Sequence, residues 1–144
     1  MTRNVQLALA LIAFVPLSVA ANDTDKKHEE AEKKAVESAD AWLPLVDQEK
    51  YGDAWESAAG YLKSAATKED FVKAFTGVRK PLGTMKSRKI KSKEYRTSLP
   101  GAPDGEYVVI QFDTSFENKT SAIETITPML DKDGTWKVSG YFIK

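Results

Sequence analysis

Glu124 stands in the middle of Ser121-Ala122-Ile123-Glu124-Thr125-Ile126-Thr127, a β-branched run in which a single carboxylate is the odd residue. Turned inward, it would lose hydration, its pKa would rise, and it could act as a general base, with the phenol of Tyr141 or Tyr107 as hydrogen-bond donor. The opposite register puts Ile123, Thr125, Thr127 and Met129 on the inner face and leaves Glu124 outside, paired with a lysine across the sheet. This structural register is the preferred reading. Tyr51, Trp55, Trp136 and Tyr141 could line a pocket, although aromatic residues at these spacings more often fill a core.

The densest chemistry is basic. Lys73, Arg79, Lys80, Lys86, Arg88, Lys89, Lys91, Lys93 and Arg96 face only Glu94 as a counter-charge within Phe71 to Arg96, a net of +8. The preceding segment, Asn22 to Asp70, has a net of −6, and Thr97 to Lys144 a net of −3. Arg79, Lys86, Arg88, Lys89, Lys91 and Lys93 are candidates for contact with an anionic envelope component or an acidic protein. The plainer alternative is that they guard an edge strand or pair with the chain's own acidic helix. Nucleic acid is a poor partner for a chain with 21 basic and 21 acidic residues.

Other chemistries find no support. His28, the one histidine, lies in a charged stretch and reads as a solvated residue, as do Glu29, Glu30 and Glu32 among their interleaved lysines. No serine or threonine has a visible partner base, no metal-ligand spacing occurs, and no glycine-rich phosphate loop is present. Neither a metal nor an organic cofactor is expected. With no cysteine there is no disulfide, no thiolate metal site and no lipid anchor at a cleavage site.

Residues 1–20 read as a signal peptide. Arg3 gives a positive start, Val5 to Val15 an apolar stretch broken only by Gln6, Pro16 a stop, and Ser18-Val19-Ala20 small residues for cleavage near Ala20. The stretch is shorter than the roughly twenty residues of a membrane span, so release into the periplasm or medium is expected, with no transmembrane segment after cleavage. About 124 of the 144 residues then remain, enough for one domain. Residues 21–38 read as a charged helical lead-in and 39–144 as a single α+β domain.

Ala31, Ala35, Ala39, Trp42 and Val46 recur at spacings of three and four and predict a helix over Lys26 to Asp47, kinked or broken near Asp40 to Pro44 by the proline. A second helix is expected over Glu49 to Ala59, ended by Gly60. A third begins at Thr67, whose hydroxyl caps it with Asp70 three residues on, and carries Phe71, Ala74, Phe75 and Val78. Extended runs follow. Met85 to Thr97 is a first strand with poor alternation, and Val108, Ile110, Phe112, Thr114 and Phe116 form the inner face of a second, with Asp113 outside. Ala122 to Leu130 and Trp136 to Ile143 complete an antiparallel meander through Asp131-Lys132-Asp133-Gly134.

Ala41-Trp42-Leu43, Leu45-Val46-Asp47, Tyr51, Trp55, Arg79-Lys80-Pro81-Leu82-Gly83, Ser98 to Tyr107 and Trp136 to Tyr141 together resemble an uncharacterised family of exported bacterial proteins, a domain of unknown function. The resemblance covers about Ala39 to Lys144, and Pro44 departs from it. It implies a cystatin-like, or nuclear transport factor 2-like, cone in which N-terminal helices pack on a curved four-stranded antiparallel sheet. It carries no activity and no site residues. The expected protein is a non-catalytic binding module of the bacterial envelope, able to form a homodimer through the open sheet face. The alternative is a small-molecule acid-base enzyme of isomerase or hydrolase type, working in a cone cavity through Glu124 with Tyr141 or Tyr107.

Overall fold

The computed structural model describes residues 19–144, with side chains from Asp23 onward. The leader read over residues 1–20 lies outside the described residues except for the backbone of its last two positions. Helix α1 runs Val19–Asp47, and α2 (Tyr51–Glu56), α3 (Gly60–Ala65) and α4 (Lys68–Val78) follow. Strands β1 (Met85–Arg96), β2 (Tyr107–Phe116), β3 (Lys119–Leu130) and β4 (Trp136–Ile143) then form one antiparallel sheet in the order β1-β2-β3-β4. The sheet is open, with β1 and β4 as its edges, and the domain is α+β with its helices packed on the sheet.

The alanines of the α1 stripe explain how one helix serves the whole sheet. Ala31, Ala35 and Ala39 are buried, and α1 touches all four strands. Methyl-sized side chains let the helix axis lie close to the strands, while Trp42 and Val46 fill the deeper end. The Trp42 indole N–H donates to the Ala54 carbonyl at 2.8 Å, which ties α2 to α1.

Three expectations about the helices need correction. Pro44 neither breaks α1 nor ends it, because Pro44 and Asp40 both face solvent and the carbonyl that the proline frees is on the side where water can take it. Gly60 starts α3, whereas the second helix stops at Glu56. His28 is half-buried, its ring stacked on Tyr95 with centroids 4.2 Å apart, so the charged lead-in is held against β1. Helix α4 starts as its sequence predicts, with the Thr67 hydroxyl accepting from the Asp70 N–H at 3.2 Å.

Two bulges account for the poor alternation of β1. Met85 pairs with Phe116 and Ser87 with Ser115; Ile90 pairs with Phe112 and Ser92 with Gln111. Lys86 and Lys91 are therefore extra residues. Met85 and Arg88 are three apart, and only the inserted Lys86 brings both to the inner face. On β3 the register differs from the preferred reading: Ala122, Glu124, Ile126 and Pro128 point inward. Pro128, in a central strand, lies where the ladder with β4 shifts, the position at which its missing N–H is tolerated.

Gly83 closes the turn between α4 and β1 with φ 76°, and a Cβ there would meet the Glu117 carboxylate at 2.9 Å and its Cβ at 3.0 Å. Gly83→Ala combines left-handed strain with this clash and is expected to lower stability by about 1–3 kcal/mol. A urea unfolding midpoint equal to that of the parent would refute the point.

Candidate functional site

One polar cluster lies inside the domain, with a residue from α1, one just past α4, and one from every strand. Asp47 is the last residue of α1. An acid there opposes the negative end of the helix dipole, so it needs cations of its own. It has two. Arg88 on β1 donates to it from Nη1 at 2.7 Å and from Nη2 at 2.9 Å, and Arg79 adds an Nη2 contact at 3.2 Å.

Arg88 also grips Glu124, from Nε at 2.7 Å and Nη2 at 3.1 Å, so its planar fork is clamped between two carboxylates. Thr114 donates its hydroxyl to Glu124 at 2.6 Å, and the Tyr141 phenol donates to the other oxygen. The two arginines and two acids balance to zero charge. Glu124 is 0% exposed and the Arg88 side chain 11%. Burial by itself disfavours the charge on Arg88, but its hydrogen bonds to Asp47 and Glu124 hold its pKa above the ordinary arginine value. Burial raises the Tyr141 phenol well above its usual value, and the neighbouring Glu124 charge adds to this.

Arg79 is placed by the end of α4. Its backbone N–H closes the helix on the Phe75 carbonyl at 2.8 Å, its Nη1 donates to the Gly83 carbonyl at 2.7 Å, and its guanidinium lies 4.4 Å from the Phe116 ring centroid. The residue is 3% exposed, and its Nε has no hydrogen-bond partner among the described residues.

The cluster corrects two readings. Glu124 faces inward, against the preferred register, and its cross-sheet partner is Arg88, not a lysine. Arg79 and Arg88, counted with the basic contact segment, are withdrawn from solvent. The lysines differ: Lys86, Lys89 and Lys91 are exposed, and Lys93, also exposed, lies 3.7 Å from Glu32 of α1.

Of the three residues in the enzyme reading, the fold brings Glu124 and Tyr141 together but not Tyr107, whose phenol donates to the Pro103 carbonyl. A carboxylate offers about four lone-pair sites, and Glu124 receives four donors, two from Arg88 and one each from Thr114 and Tyr141. No lone pair is left to take a substrate proton. A pocket of about 640 Å³ lies elsewhere, among Tyr61, Pro103, Glu106, Met129 and Asp131. Tyr51 and Trp42 belong to the core, and Trp55, Trp136 and Tyr141 pack against it. Among the described residues no group of His, Cys, Asp or Glu could hold a metal ion.

Fold and cluster together define a small α+β domain with an internally neutralised ionic core and a lysine-bearing edge strand. A family model described as "Protein of unknown function (DUF4019)" matches residues 38–141, and the chain belongs to that family. The match begins within α1, takes in β1 to β3 and reaches Tyr141 in β4, and so includes every residue of the ionic cluster. No curated protein matches the sequence.

Proposed function

We propose that this chain is an exported bacterial envelope protein of the cystatin-like or nuclear transport factor 2-like type that acts by binding and not by catalysis. The observation that carries the second half is the saturation of Glu124: the one fully buried acid among the described residues has its four acceptor sites occupied. The leader-like residues 1–20 support export, and no helix among the described residues is long and apolar enough to cross a membrane.

The contact surface is the β1 edge. Lys86 and Lys91 are the extra residues of the two bulges, and Lys89 lies between them. Three exposed ammonium groups within six residues suit anionic lipid head groups. Vesicles containing phosphatidylglycerol should bind the chain at low ionic strength and release it as salt is raised. The triple variant Lys86→Gln, Lys89→Gln, Lys91→Gln should bind roughly a hundredfold more weakly, at about 1 kcal/mol per lysine near such a surface. Salt-independent binding, or none, would overturn this reading.

A further inference from the structure

The two edges of the sheet differ in how they meet water. Strand β1 has two bulges and the exposed Lys86, Lys89 and Lys91, features that keep another strand from pairing with it. At the opposite edge, Ser139 to Ile143 of β4 holds no charged residue and no proline. An unguarded edge of this kind is a template for a further strand.

The register shows which backbone groups that edge offers. Ile123 and Lys144 exchange both backbone hydrogen bonds, at 3.0 and 2.9 Å. Hydrogen-bonded and non-hydrogen-bonded pairs alternate along an antiparallel ladder, and Thr125 pairs with Phe142 and Thr127 with Gly140. Phe142 and Gly140 therefore turn their N–H and C=O groups toward β3, and Tyr141 and Ile143 turn theirs to the free side. No group among the described residues bonds these four. Further back, the Val138 carbonyl accepts from the Ala59 N–H at 2.8 Å, so the linker between α2 and α3 closes the edge there. The open stretch is thus centred on Phe142. Its side chain shares the outer face with Thr125 and is 57% exposed, and Val78 at the end of α4, 61% exposed, lies beside it. Two of the three exposed large hydrophobic residues among the described ones meet at this edge.

We propose that the β4 edge pairs with β4 of a second copy of the chain, antiparallel, about a twofold axis at Phe142. Four outward backbone groups can be satisfied together only by an extended strand, and their spacing suits a copy. With Phe142 on the axis, Tyr141 of each copy faces Ile143 of the other, and the two pairs form four hydrogen bonds that use every free group on both sides. Phe142 then faces its own counterpart in a non-hydrogen-bonded pair, the kind in which side chains lie closest, with Cα atoms about 4.5 Å apart. A foreign strand would cover one exposed Phe142, whereas a copy covers two and sets no charge opposite another, since Lys144 falls across from Gly140. The two four-stranded sheets become one, and the seam leaves the open sheet face uncovered. The seam is short, so the dimer is weak and depends on concentration.

The test is sedimentation equilibrium of the chain from about 10 µM to about 1 mM, the range in which a small interface dissociates. A monomer–dimer equilibrium is expected, with slowed hydrogen exchange at the Tyr141 and Ile143 amides as concentration rises. Phe142→Lys and Phe142→Glu, at an exposed position that spares the fold, should each weaken the dimer roughly a hundredfold, because each sets like charges against each other in place of an aromatic pair. Only a residue that meets itself can be rescued by mixing, so the two variants together should associate to within about tenfold of the parent. Ile143→Pro removes one outward N–H per copy without touching the ladder to β3, and it should also weaken the dimer by roughly tenfold or more. The triple glutamine variant of the β1 lysines should dimerise as the parent does. A chain monomeric throughout, a dimer that both Phe142 variants leave intact, or variants that fail to associate when mixed would each overturn the proposal. Slowing of the two amides only when an extended peptide is added would assign the edge to a foreign strand and overturn it as well.

Discussion

Glu124→Ala should lower the stability of this domain by about 3–5 kcal/mol, read as a fall in the urea unfolding midpoint with an unchanged denaturant slope. The substitution removes one of two acids facing two buried arginines, so a net positive charge is left in the interior, and the Thr114 and Tyr141 hydroxyls lose their acceptor. A domain of this size has about 5–15 kcal/mol in total, and a loss of that order brings it close to unfolding. Glu124→Gln keeps an acceptor oxygen and should fall between the two. The paired change Arg88→Met with Glu124→Leu removes both charges and leaves Asp47 with Arg79, so it should recover most of the loss. A single variant within about 1 kcal/mol of the parent would mean that Arg88 reaches water and that the network is not closed.

The second large effect is alkaline. Tyr51, Tyr95, Tyr107 and Tyr141 are all raised above the ordinary phenol value, by burial first in each case, with Glu124 reinforcing it at Tyr141 and Glu106 at Tyr95. In the unfolded chain these phenols ionise near pH 10. Below that pH both states keep their protons and the stabilisation is fully present. Above it the unfolded chain releases protons that the folded chain still holds, so stability falls as pH rises toward the folded values, by about 1.4 kcal/mol per pH unit for each phenol involved. Stability measured by urea between pH 9 and 12 should therefore decline steeply from about pH 10. Tyr141→Phe should make that decline shallower by roughly one phenol's share, while costing about 1.5–3 kcal/mol at neutral pH for the lost bond to Glu124. A flat profile through this range would exclude the mechanism.

Much of the scaffold was legible in the residues. The three-four spacing of Ala31 to Val46, the Thr67 cap and the two-residue alternation of β2 report local geometry, and each describes the fold. The acid and the arginines of the cluster were visible as candidates, yet their grouping was not. Glu124 was misread because β3 is buried on parts of both faces, Thr125 as well as Ala122, Glu124 and Ile126, and alternation cannot choose a register in such a strand. Arg88 was counted with the surface lysines because the Lys86 bulge reverses the parity of β1. Asp47 did leave a signal, an acid at the wrong end of a helix dipole, although that misfit does not say which cation answers it.

By itself, then, the sequence determined the helical stripe, the meander, the leader-like start and the concentration of positive charge in the middle of the chain, because these depend on neighbours a few residues apart. Only the tertiary structure decided which charges are solvated and which are consumed inside. Pairing Arg88 with Glu124 and Asp47 joins positions 36 and 41 residues apart, and it depends on a bulge, a strand register and the reach of α1 across the sheet. Those are properties of closure, and the same closure saturates Glu124, the one fully buried acid among the described residues.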